Sequence, residues 1–288
     1  MSPSTPVTKR ERREQAREHA RELREAAAKR KKRNRWLIQG SVLLAAIAVA
    51  AVIVIVLMNV VKPPAAGPLN MASDGIQFIG DGEKVVPVKT AALAAGEKPT
   101  PTKQDASKGV SIVLYLDYQC PFCKDFETTN GEKIATWVSG GIATVELHPV
   151  AKLDAASQGT RYSSRAANAA ACVANYEPTL FLGVNAALFA NQPPEGTPGL
   201  TNAELLTVLK AESADSGDIV SCVNNEDFKD WVTQATDRTG GPLPNSDLPE
   251  LPGTPTILVN GQRYLGSLTD QSEFLNFVGS IDDAATTD

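Results

Sequence analysis

The run Trp36–Val61 (WLIQGSVLLAAIAVAAVIVIVLMNVV) carries no charged residue over 26 positions. About 20 apolar residues span a bilayer as a helix, so this run suffices with some tilt. It exceeds the apolar core of a signal peptide, usually about 7–15 residues, and its basic flank is long. An uncleaved signal-anchor is therefore expected rather than cleavage near Ala65-Ala66-Gly67. Trp36 suits the membrane interface, where an amphipathic ring is stable. Lys and Arg crowd the N-terminal side, and only Lys62 follows closely. The positive-inside rule then expects a single-pass protein of the cell membrane, with residues 1–35 cytoplasmic and 62–288 extracytoplasmic.

Charge supports that division. Residues 1–35 carry a net +8, whereas the remainder carries −13. The acidic bulk argues against nucleic acid as a partner, because phosphate recognition needs a basic surface. Residues 9–35 form a basic tail that reads as a partly formed helix without an apolar stripe. Its last cluster, Lys29 to Arg35, suits anionic lipid headgroups.

Residues 62–109 read as a tether (KPPAAGPLN, 62–70), two short strands around Asp81-Gly82, and a loop over 94–109. VSIVLYLDY (110–118) is short, β-branched and apolar, as a buried strand should be. A helix to about Ser139 and a second strand, ATVELHPV (143–150), complete a βαβ unit with a right-handed crossover. Residues 155–238 are rich in Ala, Asn and Leu, with helices expected over 161–176, 178–190, 201–213 and 226–238. Thr201 or Asn202 with Glu204 is a helix-start signal. PTILVNGQRYLG (255–266) is a strand pair about the turn Asn260-Gly261. A last helix, 270–281, places Phe274, Leu275, Phe277, Val278 and Ile281 on one face. Residues 110–154 and 239–288 thus make one α/β domain, interrupted by a helical insertion over 155–238.

The chemistry lies in DYQCPFCKDF (117–126). Cys120 ends a strand and starts a helix, and Pro121 takes the first helical position. Unpaired N–H groups and the positive end of the helix dipole then favour a thiolate at Cys120. Cys123, one turn on, is placed to resolve a mixed disulfide. Zinc wants four ligands, but Cys172 and Cys222 form no second knuckle and His19 lies on the cytoplasmic side. A structural staple is a poor reading, since so small a loop removes little unfolded-state entropy. No metal and no cofactor are expected.

Together, DYQCPFCKDF, the helical insertion and GTPTILVNG (253–261) resemble the DsbA-like thioredoxin-fold thiol-disulfide oxidoreductases of the membrane-anchored actinobacterial type. The resemblance covers about 110–281. It implies a thioredoxin fold with a helical insertion, preceded by one transmembrane helix. It implies that Pro255 is cis and faces the cysteines, and that the backbone of Thr254 pairs with a substrate strand. The insertion should cap the active site. Four cysteines allow three connectivities, and once Cys120 pairs with Cys123 only Cys172–Cys222 remains. That second disulfide is expected to be stabilising.

His148 ends the second strand on the active-site edge, where it is a candidate for tuning Cys120 or relaying a proton. The plainer reading is a satisfied strand-end histidine. Leu114 stands where many relatives carry a buried acid, and Phe122 stands where the strongest oxidants have histidine. The first departure removes a route for deprotonating Cys123, and the second leads us to expect milder acidification of Cys120 and a less extreme oxidising potential. The proline-rich stretch 240–253 is either a partner-binding element or a plain surface loop.

The expected function is introduction of disulfides into unfolded exported proteins with cysteines. The resemblance implies reoxidation by a quinone-linked membrane partner, vitamin-K-epoxide-reductase-like or DsbB-like. Two alternatives stay open: a reductase or isomerase of the same fold, as in cytochrome maturation, and a non-catalytic peptide-binding or chaperone module.

Overall fold

The computed structural model describes residues 66–105 and 109–285, and residues 21–54 in part. The chain divides into two compact units, 1–62 and 63–288.

The first unit contains helix α1 (Lys29–Val54), which is long and apolar enough to cross a membrane by length and composition. Its apolar side chains, including Leu43, Leu44, Ile47 and Val52, are exposed within the unit. Arg21, Arg24 and Glu25 are helical as well, so helical conformation reaches into the basic tail rather than beginning at Trp36, as Arg, Glu and Lys are good helix formers. Residues 55–61 of the apolar run and 9–20 of the basic tail lie outside the described residues.

The second unit is built on a six-stranded sheet. Its strands are β1 (Ile76–Gly80), β2 (Val85–Pro87), β3 (Val110–Leu116), β4 (Ala143–Pro149), β5 (Thr256–Val259) and β6 (Gln262–Arg263). The order across the sheet is β2-β1-β4-β3-β5-β6. Strands β3 and β4 run parallel, from Val110 opposite Ala143 to Leu116 opposite Pro149, and the other pairs are antiparallel. The crossover between them is α2 (Pro121–Ser139). Asn260 and Gly261 both have positive φ, 46° and 82°, as a two-residue hairpin turn requires.

Alternation along β3 supplies two cores. Ile112, Leu114 and Leu116 face the main core, which takes in α2, the last helix α8 (Gln271–Ala285) and the insertion. Val113 and Tyr115 face a smaller core with Val150, Leu243, Leu251 and Leu258. The proline-rich stretch 240–253 thus covers the second face of the sheet through Leu243 and Leu251. It is a core-forming element, an outcome its proline content concealed.

The insertion contains α3 (Tyr162–Tyr176), α4 (Phe181–Ala190), α5 (Asn202–Ala211), α6 (Gly217–Asn225) and α7 (Lys229–Arg238). Thr201 caps α5 in a reciprocal capping box with Glu204. Helix α6 was not expected from the sequence, yet it carries Cys222. A disulfide joins Cys222 to Cys172 of α3, both fully buried, with Cα atoms 5.9 Å apart. The segment 67–70, expected to be part of an extended tether, is packed instead, as is Met71 after it. Gly67 N–H donates to Leu93 O at 2.8 Å, Asn70 Nδ2 donates to Ala174 O at 2.8 Å, and Met71 is fully buried.

Candidate active site

Strand β3 stops at Leu116, and a short turn delivers Asp117 to Cys120 to the start of α2. Cys120 is the N-cap in an extended conformation (φ −77°, ψ 118°), and Pro121 follows as the first helical residue. Pro has no N–H to leave unsatisfied there, and its ring fixes a helical φ. The Cys120 carbonyl accepts from the N–H groups of Cys123 (3.1 Å) and Lys124 (3.3 Å), closing the first turn. Both thiols are free and largely buried, whereas Phe122 between them is 61% exposed.

The Thr254–Pro255 peptide bond is cis. The Cys120 thiol donates to the Thr254 carbonyl oxygen at 3.2 Å. Sheet pairing holds this contact in place, because Thr256 of β5 lies opposite Tyr115 of β3.

The two thiols differ sharply in acidity. Cys120 falls from 9.0 to about 6, chiefly because the Cys123 thiol donates a hydrogen bond to it. Burial opposes the shift, while the Thr254 side chain and the N–H groups of Cys123 and Phe122 reinforce it. Cys123 is pushed well above 9.0, first by burial and then by its interaction with Cys120. The backbone N–H of Asp117, 3.4 Å from the Cys123 sulfur, acts the other way. The pair is therefore one thiolate and one proton donor to it. Phe122 contributes its N–H to Cys120, although its side chain has nothing to donate.

His148 lies elsewhere. Its ring stacks on Tyr115 at 4.5 Å, and its Nε2 sits 3.2 Å from Glu146 Oε1. Tyr115 belongs to the smaller core, whereas both cysteines belong to the main core on the other face of the sheet. Burial opposes ionisation of Glu146, but His148, Ser73 and Thr102 together hold its carboxyl below the usual range. The groups that shift Cys120 are Cys123, Thr254 and the first N–H groups of α2.

The insertion grips the turn before Cys120 residue by residue. Ser163 Oγ donates to Asp117 Oδ1 at 2.7 Å, and Tyr118 Oη donates to Asn185 Oδ1 at 3.0 Å. Gln192 Nε2 donates to the carbonyls of Tyr118 (3.0 Å) and Cys120 (2.9 Å). Sequence reasoning missed Ser163, Asn185 and Gln192, whose relation to the motif exists only in the tertiary fold. Asp117 was quoted in the motif but given no role, though an acid directly after a buried strand was a usable signal.

Glu127 was also missed. It lies four residues after Cys123 and seven after Cys120, on the same helical face. Its carboxylate sits over Gly131, where an added Cβ would come within 2.7 Å of Oε1. It helps line a cavity of ≈ 450 Å³ with Leu114, Leu147 and Phe189. Burial pushes its carboxyl up to about 7, opposed by the Asn185 side chain.

A thioredoxin sheet with a cysteine pair at a strand-to-helix junction and a cis proline beside it defines a protein thiol-disulfide oxidoreductase. A family model described as thioredoxin matches residues 103–279, and the chain belongs to that family. No curated protein matches the sequence significantly. Among solved structures, the chain is similar to the reduced disulfide bond oxidoreductase DsbG of Mycobacterium tuberculosis. Identity is 25% and the TM-score 0.53, over 71% of this chain and 86% of that one. It is equally similar to oxidised DsbA of the same organism, at 25% identity and a TM-score of 0.53, over 74% of this chain and 98% of that one. MdbA, a thiol-disulfide oxidoreductase from Actinomyces oris, shares the fold at 19% identity and a TM-score of 0.50, over 73% of this chain and 89% of that one.

Proposed function

We propose that the protein is a membrane-tethered oxidant that introduces disulfides into exported proteins. The observation that carries this reading is the asymmetry of the thiols, with Cys120 near 6 and Cys123 well above 9.0. A stabilised thiolate makes Cys120 a good leaving group and favours the reduced pair, so the oxidised pair readily passes its disulfide on. A substrate thiolate attacks the Cys120 sulfur of the Cys120–Cys123 disulfide, forming a mixed disulfide and releasing Cys123, which takes up a proton. A second substrate thiolate then attacks the substrate sulfur, forming the substrate disulfide and releasing Cys120 as thiolate. Two electrons have passed to the enzyme.

Thr254 and Pro255 line the approach to Cys120, and in this reading the substrate strand docks along them. Cys172–Cys222 is assigned a stabilising role, since it is fully buried and joins two helices of the insertion. α1 serves as the anchor, with the basic tail cytoplasmic and residues beyond 62 extracytoplasmic. The reduced pair returns its electrons to a quinone-linked membrane partner of the vitamin-K-epoxide-reductase-like or DsbB-like class.

Replacing Cys123 by Ser tests the exchange chemistry in cells. The lone Cys120 thiolate attacks a disulfide already formed in a substrate, one substrate sulfur leaves as thiolate, and without Cys123 to displace the substrate, adducts on Cys120 that a reductant releases should accumulate. Recovery of non-covalent complexes alone would point to a peptide-binding module instead.

A further inference from the structure

A cavity of ≈ 630 Å³ lies against the smaller core, on the face of the sheet away from both cysteines. Sites for small organic molecules run from about 300 to 1,000 Å³, so a ligand of that class fits. Pro99, Val150, Pro242 and Leu243 supply apolar walls, and a proline ring has no rotamer freedom to lose against a ligand.

The acids around the cavity are already engaged. Both oxygens of Asp74 accept from Arg238, through Nε and Nη2 at 2.6 Å each. Glu146 accepts from Ser73 and Thr102 and lies 3.2 Å from His148 Nε2. The other polar groups of the lining are not engaged. Lys98 is exposed at the rim and makes no ion pair among the described residues, and Arg238 Nη1 is left over from the fork on Asp74. Tyr115 and His148 are only 4% and 5% exposed. Yet neither the Tyr115 hydroxyl nor His148 Nδ1 has a hydrogen-bond partner among the described residues. With Nε2–H turned to a carboxylate, the neutral ring keeps Nδ1 as an acceptor. A buried polar group without a protein partner calls for water or a ligand.

We propose that this cavity is a binding site for a small amphipathic organic acid. Its apolar body lies against the proline wall, its carboxylate at Lys98 and Arg238, and a hydroxyl or N–H group at His148 and Tyr115. The free capacity at the rim is cationic, so it selects an anion and repels a cation. The inference goes beyond the oxidant reading and does not depend on it, because the lining includes none of Cys120, Cys123, Thr254 or Pro255.

Indole-3-acetate carries all three features and is the probe. It is titrated calorimetrically into full-length protein in detergent micelles, with empty micelles as the blank. Saturable one-to-one binding is expected. Indole-3-acetamide, which lacks the charge, should bind about three- to tenfold more weakly. Lys98→Glu should weaken the acetate by a similar factor of about three to ten and leave the acetamide within about twofold. Gly241→Trp places an indole on the cavity wall and should weaken both ligands by about tenfold or more. An added Cβ at Gly241 meets only the Arg238 carbonyl oxygen, at 3.6 Å, so the backbone accepts a side chain there. If Gly241→Trp does not fold, Tyr115→Phe takes its place, with an expected loss of about two- to tenfold for both ligands. Absence of saturable heat overturns the proposal. Equal affinity for acetate and acetamide overturns it too. So does an affinity that both Lys98→Glu and the wall variant leave unchanged, which would mark adsorption outside the cavity. The titration reads ligand binding alone, so its failure leaves the reduction potential, on which the oxidant reading stands, untouched.

Discussion

The sulfur of Cys120 lies 3.2 Å from the carbonyl oxygen of Thr254, a residue 134 positions away in the chain. Pairing of β5 beside β3 creates this relationship, and it places the nucleophile under the loop that carries the cis proline. The functional consequences follow from what surrounds that sulfur.

Alkylation of the reduced protein should show a single titration with a midpoint near 6, the value at Cys120. Cys123 should stay unreactive throughout the neutral range, because its thiol is raised well above 9.0. Mass spectrometry of the labelled peptides distinguishes the two. The same shift sets a pH dependence of stability. The folded value lies below the unfolded 9.0, so the stabilisation of the reduced form is full above pH 9 and is lost as pH falls through about 6. Chemical denaturation of the reduced wild type and of a Cys120→Ser variant, compared across that window, checks the sign.

Phe122 is 61% exposed, so changing it leaves the core untouched. Phe122→His adds a cation between the cysteines when protonated, and that favours the thiolate. Cys120 should titrate lower than in the wild type, and the pair should become more oxidising. Thiolate absorbance against pH measures the first effect. A rise in the Cys120 midpoint would show that the apolar side chain contributes in some other way.

Cys172 and Cys222 close a loop with a sequence separation of 50. In the chain-entropy model such a crosslink contributes about 4 kcal/mol. The double variant Cys172→Ala with Cys222→Ala should lose stability of that order in urea unfolding, while the Cys120 titration stays in place. A shifted Cys120 midpoint would instead make the second disulfide part of the redox apparatus.

Glu127 rises from 4.5 to about 7 in the folded protein. A raised folded value gives stability that is complete below pH 4.5 and disappears as pH rises through about 7. Glu127→Gln should therefore melt higher than the wild type at pH 8 and close to it at pH 4.5. Thermal unfolding at the two pH values checks this, and equal effects at both would place the carboxylate in solvent.

The architecture around the site was readable where local pattern and tertiary role agree. VSIVLYL, CPFC and ATVELHP declared a strand, a helix start and a second strand, and the register of β3 with β4 follows. Asn260-Gly261 declared its turn through backbone conformation alone. Helix α6 was missed because Gly217, Asp218 and two asparagines are poor helix formers. Only Ile219, Cys222 and Val223, spaced three and four apart and buried, marked it. Residues 67–71 and 240–253 are proline- and glycine-bearing segments whose burial depends on partners such as Leu93, Ala174 and Tyr115, distant in sequence. Strand position placed His148 at an edge of the sheet but not on a face, which parity along the strand decides, and its ring packs on Tyr115 beside Glu146. Of the site itself, Cys120, Cys123, Thr254 and Pro255 come together as the motifs implied. The grip of Ser163, Asn185 and Gln192 on the turn required the fold.

The central claim is that the protein donates disulfides. The reduction potential of the Cys120–Cys123 pair, measured by equilibration with glutathione buffers, tests it most directly. The stabilised Cys120 thiolate predicts a value well above that of a thioredoxin-like reductant, on the side of about −120 mV. A value near about −270 mV would contradict the account and make the protein a reductant.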